Sequence, residues 1–397
     1  MSTDRIRARI EIGDRRARLA RRHRLALESR GDSPLDAARS VVVLHSSDPA
    51  TVFLSVWART SGFQVEDLER ELYEHRTLVR MLAMRRTLWV VPRELVAVVD
   101  AACTRTVAAR EWRKLEGFVA ASGVSDDPAA WLGEVRTAAL RAIEKRGEAF
   151  TSDLSRDDPL LAAKVKLGMG TRWESDVSVG SRILPLLAAQ GELVRGRPRT
   201  GWTNGQYRWT ATASWLGDEP AELDQAAAQA ELLRRWLFAF GPATETDIRW
   251  WMGWTAREAR AALAAVPHSL VELDEGAAFV LEDDLEPAGD MAPWVALLPA
   301  LDPSTMGWKE RDWYLGPQER VLFDSNGNAG PTVWCDGRVV GGWSQRKDGE
   351  IAFRLLEDVG AEALGAIEAE AARLADWLGD ARFSPSFLPP FQRALAT

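Results

Sequence analysis

Between residues 34 and 74 the apolar positions fall into three short helical periods separated by turn signals. Leu35, Ala38, Val41 and Val42 share one face, which predicts a helix over 34–44. Ser33 before Pro34 reads as an N-cap followed by proline at the first helical position. A second helix is predicted over 49–58 and a third over 65–74, after the turn at Ser61 and Gly62. Two apolar runs, 78–83 and 87–91, then flank the basic pair Arg85 and Arg86 and predict a hairpin. Three helices and a hairpin make the winged-helix arrangement, a variant of the helix-turn-helix.

The same order recurs more loosely. Residues 92–150 read as helical, with Leu95, Val98 and Val99 in register, followed by helices near 152–154 and over 181–190. A strand pair, 192–197 and 206–211, encloses a tip at 197–205 that is basic and rich in turn formers, as a wing is. A third round has a long helix to Phe240, a break at Gly241 and Pro242, helices near 245–252 and 255–265, and strands near 270–273 and 278–281. Beyond it the pattern turns to strands: 294–298, 321–323 and 331–335. A two-residue Asp336-Gly337 turn follows, then a return strand over 338–343 and a last one over 351–355. These form a small antiparallel sheet or barrel, closed by a helix over 361–378.

Charge qualifies this picture. The net charge of −8 argues against a protein that is basic all over, but not against a local basic face. Residues 1–30 hold ten Arg against Asp4, Glu11, Asp14 and Glu28, read either as a solvated helix face or as a phosphate-tracking arm. Residues 272–290 carry eight acids and no Lys or Arg, read as a solvated linker or a face turned away from nucleic acid. The expected surface is polarised, with a basic concave face and an acidic back. The 18 Trp are read mainly as core and interface fillers. Two Cys and four His, no pair of His at helical spacing, exclude a disulfide framework and a Cys-based metal motif and argue against a His-rich metal site. No uncharged stretch exceeds 11 residues, so no membrane span is expected, and a reducing cytoplasm is.

Candidate chemistry is confined to the junction His45-Ser46-Ser47-Asp48-Pro49. Asp48 before Pro49 reads first as a helix N-cap, with Ser47 as a secondary cap and His45 as a half-buried residue. The functional reading of the same junction gives a chemical role to His45. No Gly-rich phosphate loop, zinc signature or nucleophile elbow is present. From the residues alone, the chain is a cytosolic multidomain protein that binds nucleic acid through winged helices.

The segment after Leu44, HSSDPATVFLSVWAR, resembles the first-unit motif of the AlkZ/YcaQ-like DNA glycosylases. So do RMLAMRRTLW from Arg80, LPALDPSTMGW from Leu298 and NGNAGPTVWCDGRVVGGW from Asn326. The combination covers nearly the whole chain in one order. The resemblance implies an α+β fold of three tandem winged-helix units followed by a small C-terminal β-barrel and helix. The units fall at 1–91, 92–217, 218–291 and 292–397. It also implies a monofunctional enzyme that excises alkylated purines from duplex DNA, in some members unhooking interstrand crosslinks, with no cofactor or metal. A monomer is expected. His45 falls where related enzymes carry the first Gln of Gln-x-Gln or Gln-x-Asp, and Ser47 on the second Gln or Asp. In this chain His45 would orient and deprotonate a water, Ser47 would hold it, and Asp48 would stabilise positive charge on the sugar. Arg85, Arg86, Thr87, Arg197, Arg199 and Arg338 are the candidate DNA contacts. Asp302 and Trp308 belong to the C-terminal motif, Trp308 as a packing residue. The competing readings are a non-enzymatic DNA-binding regulator or lesion sensor, and a scaffold for protein partners.

Overall fold

The computed structural model describes residues 5–217 and 221–397. Asp4 lies outside the described residues, as do 218–220, where the third unit is expected to begin. The fold is mixed α+β. The N-terminal stretch is not one basic helix: Ala8–Arg9 (β1) is a short strand and Ile12–Arg22 (α1) a helix.

Helix Pro34–Ser40 (α2) starts as expected, with the Ser33 hydroxyl accepting the Asp36 N–H at 3.1 Å. It ends short of 44 because the β-branched run Val41-Val42-Val43 leaves the helical conformation. Val42 has φ +66°, and Leu44–His45 becomes a strand, β2. Helices Pro49–Trp57 (α3) and Val65–Tyr73 (α4) follow, then strands Leu78–Leu82 (β3) and Leu88–Pro92 (β4). The sheet order is β2-β4-β3, so the expected hairpin gains a third strand that carries His45. The helix α3 is buried nearly all round, in keeping with its unbroken apolar sequence.

Residues 105–211 hold their own core, built from Leu115, Val119, Val135, Ile143, Leu184 and Trp209. Its helices Arg105–Ala121, Pro128–Arg146 and Gly180–Ala189 pack around a sheet of Glu148–Ala149, Tyr207–Ala211 and Leu193–Pro198. An additional hairpin, Lys164–Leu167 with Ser175–Ser178, was not legible in the composition around it. Next, helices Gln225–Phe240, Glu245–Met252 and Ala256–Ala265 lead to the hairpin His268–Leu273 and Gly276–Leu281. Thr244 and Thr255 each form a capping box, which is why those two helices start where the sequence places them.

The C-terminal barrel does not close. Val295–Leu298, Thr332–Cys335, Arg338–Gln345 and Ile351–Leu355 form an open four-stranded antiparallel sheet in sequence order. Four strands are too few to curl into a filled barrel. The helix Gly360–Leu378 instead packs across the first and last of them. The strand expected at 321–323 is the helical turn Glu319–Leu322, leaving only an isolated bridge from Phe323 to Ala329.

Charge is arranged differently from the polarised surface anticipated above. Strand β1 pairs parallel with His268–Leu273, bringing the basic N-terminus against the acidic stretch. Arg15 bonds Glu275 at 2.7 Å, Arg18 bonds Asp14 at 2.7 Å and Asp284 at 2.8 Å, and Arg22 bonds Asp284 at 2.6 Å. Residues 272–290 are therefore not a free linker, and Arg15, Arg18 and Arg22 do not belong to a free arm. Long-range pairing of two oppositely charged segments is invisible to a local reading.

Candidate active site and DNA interface

His45 pairs with Trp89 across β2 and β4 and lies edge-on to its ring, centroids 4.7 Å apart. It is 3% exposed. Its Nδ1 accepts the Ser47 N–H at 3.4 Å, a long contact consistent with the tautomer that carries its proton on Nε2. Burial, then the charge of Arg85, pushes the imidazole down to about 3, against a smaller opposing pull from Asp302. At neutral pH the ring is uncharged and a weak proton acceptor.

The rest of the motif is firmly held. The Ser46 N–H donates to the Leu88 carbonyl at 2.8 Å, and its hydroxyl accepts Arg80 Nε at 2.9 Å. Ser47 is half-buried, its Oγ accepting the Leu88 N–H at 3.4 Å. Asp48 is the N-cap of α3, as read: one carboxylate oxygen accepts the Ala50 N–H at 3.0 Å. The other accepts the Ser386 N–H at 2.7 Å, so both oxygens are engaged and the chain near 386 lies over the motif.

The structure brings Arg85, Arg86 and Thr87 to the β3–β4 turn beside this strand. Thr87 donates its hydroxyl to the Met84 carbonyl at 2.8 Å, and Arg86 pairs with Glu111 at 2.9 Å. Arg85 packs on Trp250, its guanidinium carbon 4.1 Å from the ring centre.

The tip at 197–205 does not project as a free wing. Arg197 pairs with Glu69 at 3.0 Å and Glu74 at 2.9 Å, and Arg199 bonds Gln206 and Ser152 while stacking on Phe150. Trp202 lies 5.0 Å from Phe53 of α3, and Gly205 backs onto Pro49. The tip thus docks on the helix that follows the motif. Arg338 stands apart, paired with Glu357 at 2.7 Å at a turn whose Gly337 is pressed against Arg16 of α1.

Arg80, Arg195 and Arg59, none singled out from the sequence, complete the surroundings with Asp302 and Trp308 of the C-terminal motif. Arg80, 3% exposed, bonds the Tyr73 hydroxyl at 3.3 Å and stacks on Tyr207 at 4.4 Å. It thereby joins the two halves under Ser46. Arg195 lies on Trp209 at 4.5 Å, and burial, then the charge of Arg80, lowers it to about 10. An arginine inside the apolar run 78–83 was the available signal for Arg80. Asp302 forms a fully buried two-pronged pair with Arg59 of the motif segment at 2.7 and 2.8 Å, and accepts the Ser55 hydroxyl at 2.7 Å. Burial alone would raise Asp302, but the charge and hydrogen bonds of Arg59, with those from Ser55 and the Ser304 N–H, together hold the carboxyl below its ordinary value. Trp308 is buried and donates its indole N–H to the Phe240 carbonyl at 3.1 Å, a packing residue as read.

Neutral hydrogen-bonding groups on a buried strand thus stand beside a basic turn. The comparisons name the class. The profile of the family described as DNA glycosylase AlkZ-like matches residues 38–377, and the chain belongs to that family, enzymes that hydrolyse N-glycosidic bonds in DNA. No curated protein matches in sequence. Among solved structures, the Streptomyces sahachiroi DNA glycosylase AlkZ has a similar fold. It is 22% identical with a TM-score of 0.70, over 94% of this chain and 98% of that one. Among the described residues no helix is long and apolar enough to cross a membrane.

Proposed function

We propose that this glycosylase releases N7- or N3-alkylated purines, bulky or crosslinked ones included, from duplex DNA, acting as a monomer in the cytoplasm. The observation that carries this is the placement of a neutral His45 and a half-buried Ser47 at one strand end beside Arg85. An alkylated purine is cationic and departs without a general acid. The transition state is then oxocarbenium-like, as in glycosidases, and the enzyme mainly has to place a water. In this reading His45 and Ser47 orient that water by hydrogen bonds. With its conjugate acid near 3, His45 contributes little as a base. Asp48 holds the strand–helix junction and adds its negative charge at a distance. The three helix-and-hairpin sets act as winged helices, divided as 1–91, 92–217 and 218–291, with 292–397 as the C-terminal sheet and helix. Arg86, Thr87, Arg197, Arg199 and Arg338 contact phosphates. The arginines among them that pair with exposed carboxylates lose about 1 kcal/mol or less on switching partner.

The test is release of free base and formation of abasic sites from duplexes carrying N7-methylguanine, bulky N7 or N3 adducts, or a crosslink. His45→Ala should abolish release and leave DNA affinity nearly unchanged. No release by the natural protein from any of these adducts refutes the substrate assignment.

A further inference from the structure

The turn beside His45 carries two non-glycine residues in the left-handed conformation. Met84 to Thr87 is a two-residue hairpin turn closed by the Thr87 N–H on the Met84 carbonyl at 3.1 Å. Its central residues, Arg85 and Arg86, have φ +54° and +60°. That left-handed conformation favours Asn-Gly, and each arginine in it is strained by roughly 1 kcal/mol or more. The turn places Arg85 against Gly253 and over the half-buried Trp250.

The guanidinium of Arg85 makes no hydrogen bond or ion pair with the described residues, and its Nε is buried without a partner. A second arginine approaches the same ring. Arg311 lies 5.2 Å from the Trp250 centre, is 3% exposed, and also has a buried N–H, on Nη1, without a partner. Its nearest carboxylate is Glu319 at 3.8 Å. Burial, then the charge of Arg311, lowers Arg85 to about 10. Two guanidinium groups against one ring, partly desolvated and without a well-bonded carboxylate, are suited to an anion. A cavity of about 490 Å³ flanks the turn on its other side, lined by Arg85, Arg86 and Arg110 together with Glu111 and Glu258 and not by Arg311 or Trp250.

We infer that Arg85, backed by Arg311 and seated on Trp250, is the binding site for one phosphodiester of the damaged strand, next to the nucleotide presented to His45. This rests on the reading of the His45 strand as the catalytic site and adds to it a source of negative charge. Both oxygens of Asp48 are engaged and Asp302 is paired with Arg59. The strand's own phosphate, held by Arg85, then supplies the charge facing the oxocarbenium ion. The docked phosphate compensates the unpaired charge of Arg85, and the strained turn holds the side chain in place for it.

The experiment measures binding of the full chain to duplexes with a tetrahydrofuran abasic site, which requires no turnover. Arg85→Asn removes the charge and suits the left-handed turn. It should weaken binding roughly tenfold or more. It should also lower the slope of log affinity against log salt by about 1. A neutral methylphosphonate at one linkage near the abasic site should cause the same loss in the natural protein and little further loss in Arg85→Asn. Arg311→Gln should show the same pattern more weakly. The melting temperature of Arg85→Asn should hold or rise. An unchanged salt slope, no sensitive linkage, or a marked fall in melting temperature overturns the inference. So does stabilisation by inorganic phosphate with no linkage sensitivity, which marks a site for a free anion. Base release by the natural protein from adducted duplex, scored separately, tells failure of this site from failure of the substrate reading.

Discussion

Arg59 and Arg85 are both arginines drawn largely out of water in the same part of the chain, and they teach opposite lessons. Arg59 meets Asp302 through two bonds, with Ser55 and Ser304 completing the network. The network runs on to His23, whose Nδ1 lies 2.8 Å from Ser304 Oγ and whose Nε2 lies 3.1 Å from the Ala239 carbonyl. Four distant segments are locked by it. Arg85 meets a ring, another cation and no carboxylate. A buried charge that is fully partnered holds a fold together. One left unpartnered on a strained turn is a mark of ligand binding.

The sharpest way to break the comparison is Arg59→Met. It leaves Asp302 buried and unpaired, and should lower stability in urea unfolding by about 3–5 kcal/mol, while DNA contacts stay in place. A loss near zero would make the pair decorative.

The pH dependence comes next. His23 and His45 are both pushed down to about 3, chiefly by burial. The folded state keeps them neutral, whereas the unfolded chain protonates them at about 6.5. Their contribution is therefore complete above that value and is lost as pH falls from there toward 3. Stability should drop by on the order of 1 kcal/mol per histidine per pH unit, measured as a chemical-denaturation midpoint from pH 7 to 5. His23→Asn should flatten that slope by about half; an unchanged slope would place the sensitivity elsewhere.

Asp48→Ala removes a cap and the acceptor for Ser386, and should cost about 1–2 kcal/mol. A mutant of natural stability would show that the chain near 386 is not held by this contact. Arg197→Ala, on an exposed pair, should change stability by about 1 kcal/mol or less. A larger loss would show that docking of the 197–205 tip depends on the ion pairs more than on Trp202.

The local signals were strongest where one residue decides one contact. Ser33, Asp48, Thr244 and Thr255 cap their helices, and the Asp336-Gly337 hairpin forms with both residues at positive φ. A cap is a hydrogen bond over two or three residues, so it is legible in order of residues alone. Helix α2 is shorter than its apolar face predicts because that face continues into residues that a sheet partner claims. The expected barrel failed to close because strand count and the covering helix Gly360–Leu378, not strand propensity, settle closure.

For the site, the sequence by itself determined the motif His45-Ser46-Ser47-Asp48, its capping, and the basic turn that follows. Tertiary structure alone decided what those residues can do. It buried His45 until protonation is disfavoured, engaged both oxygens of Asp48, and docked the 197–205 tip on α3. It also turned the N-terminal arginines toward 272–290 and brought Arg311 beside Arg85. Each of these depends on charges and rings contributed by segments far apart in the chain. Electrostatic interaction depends on distance and dielectric in space, and neither is written in the order of residues.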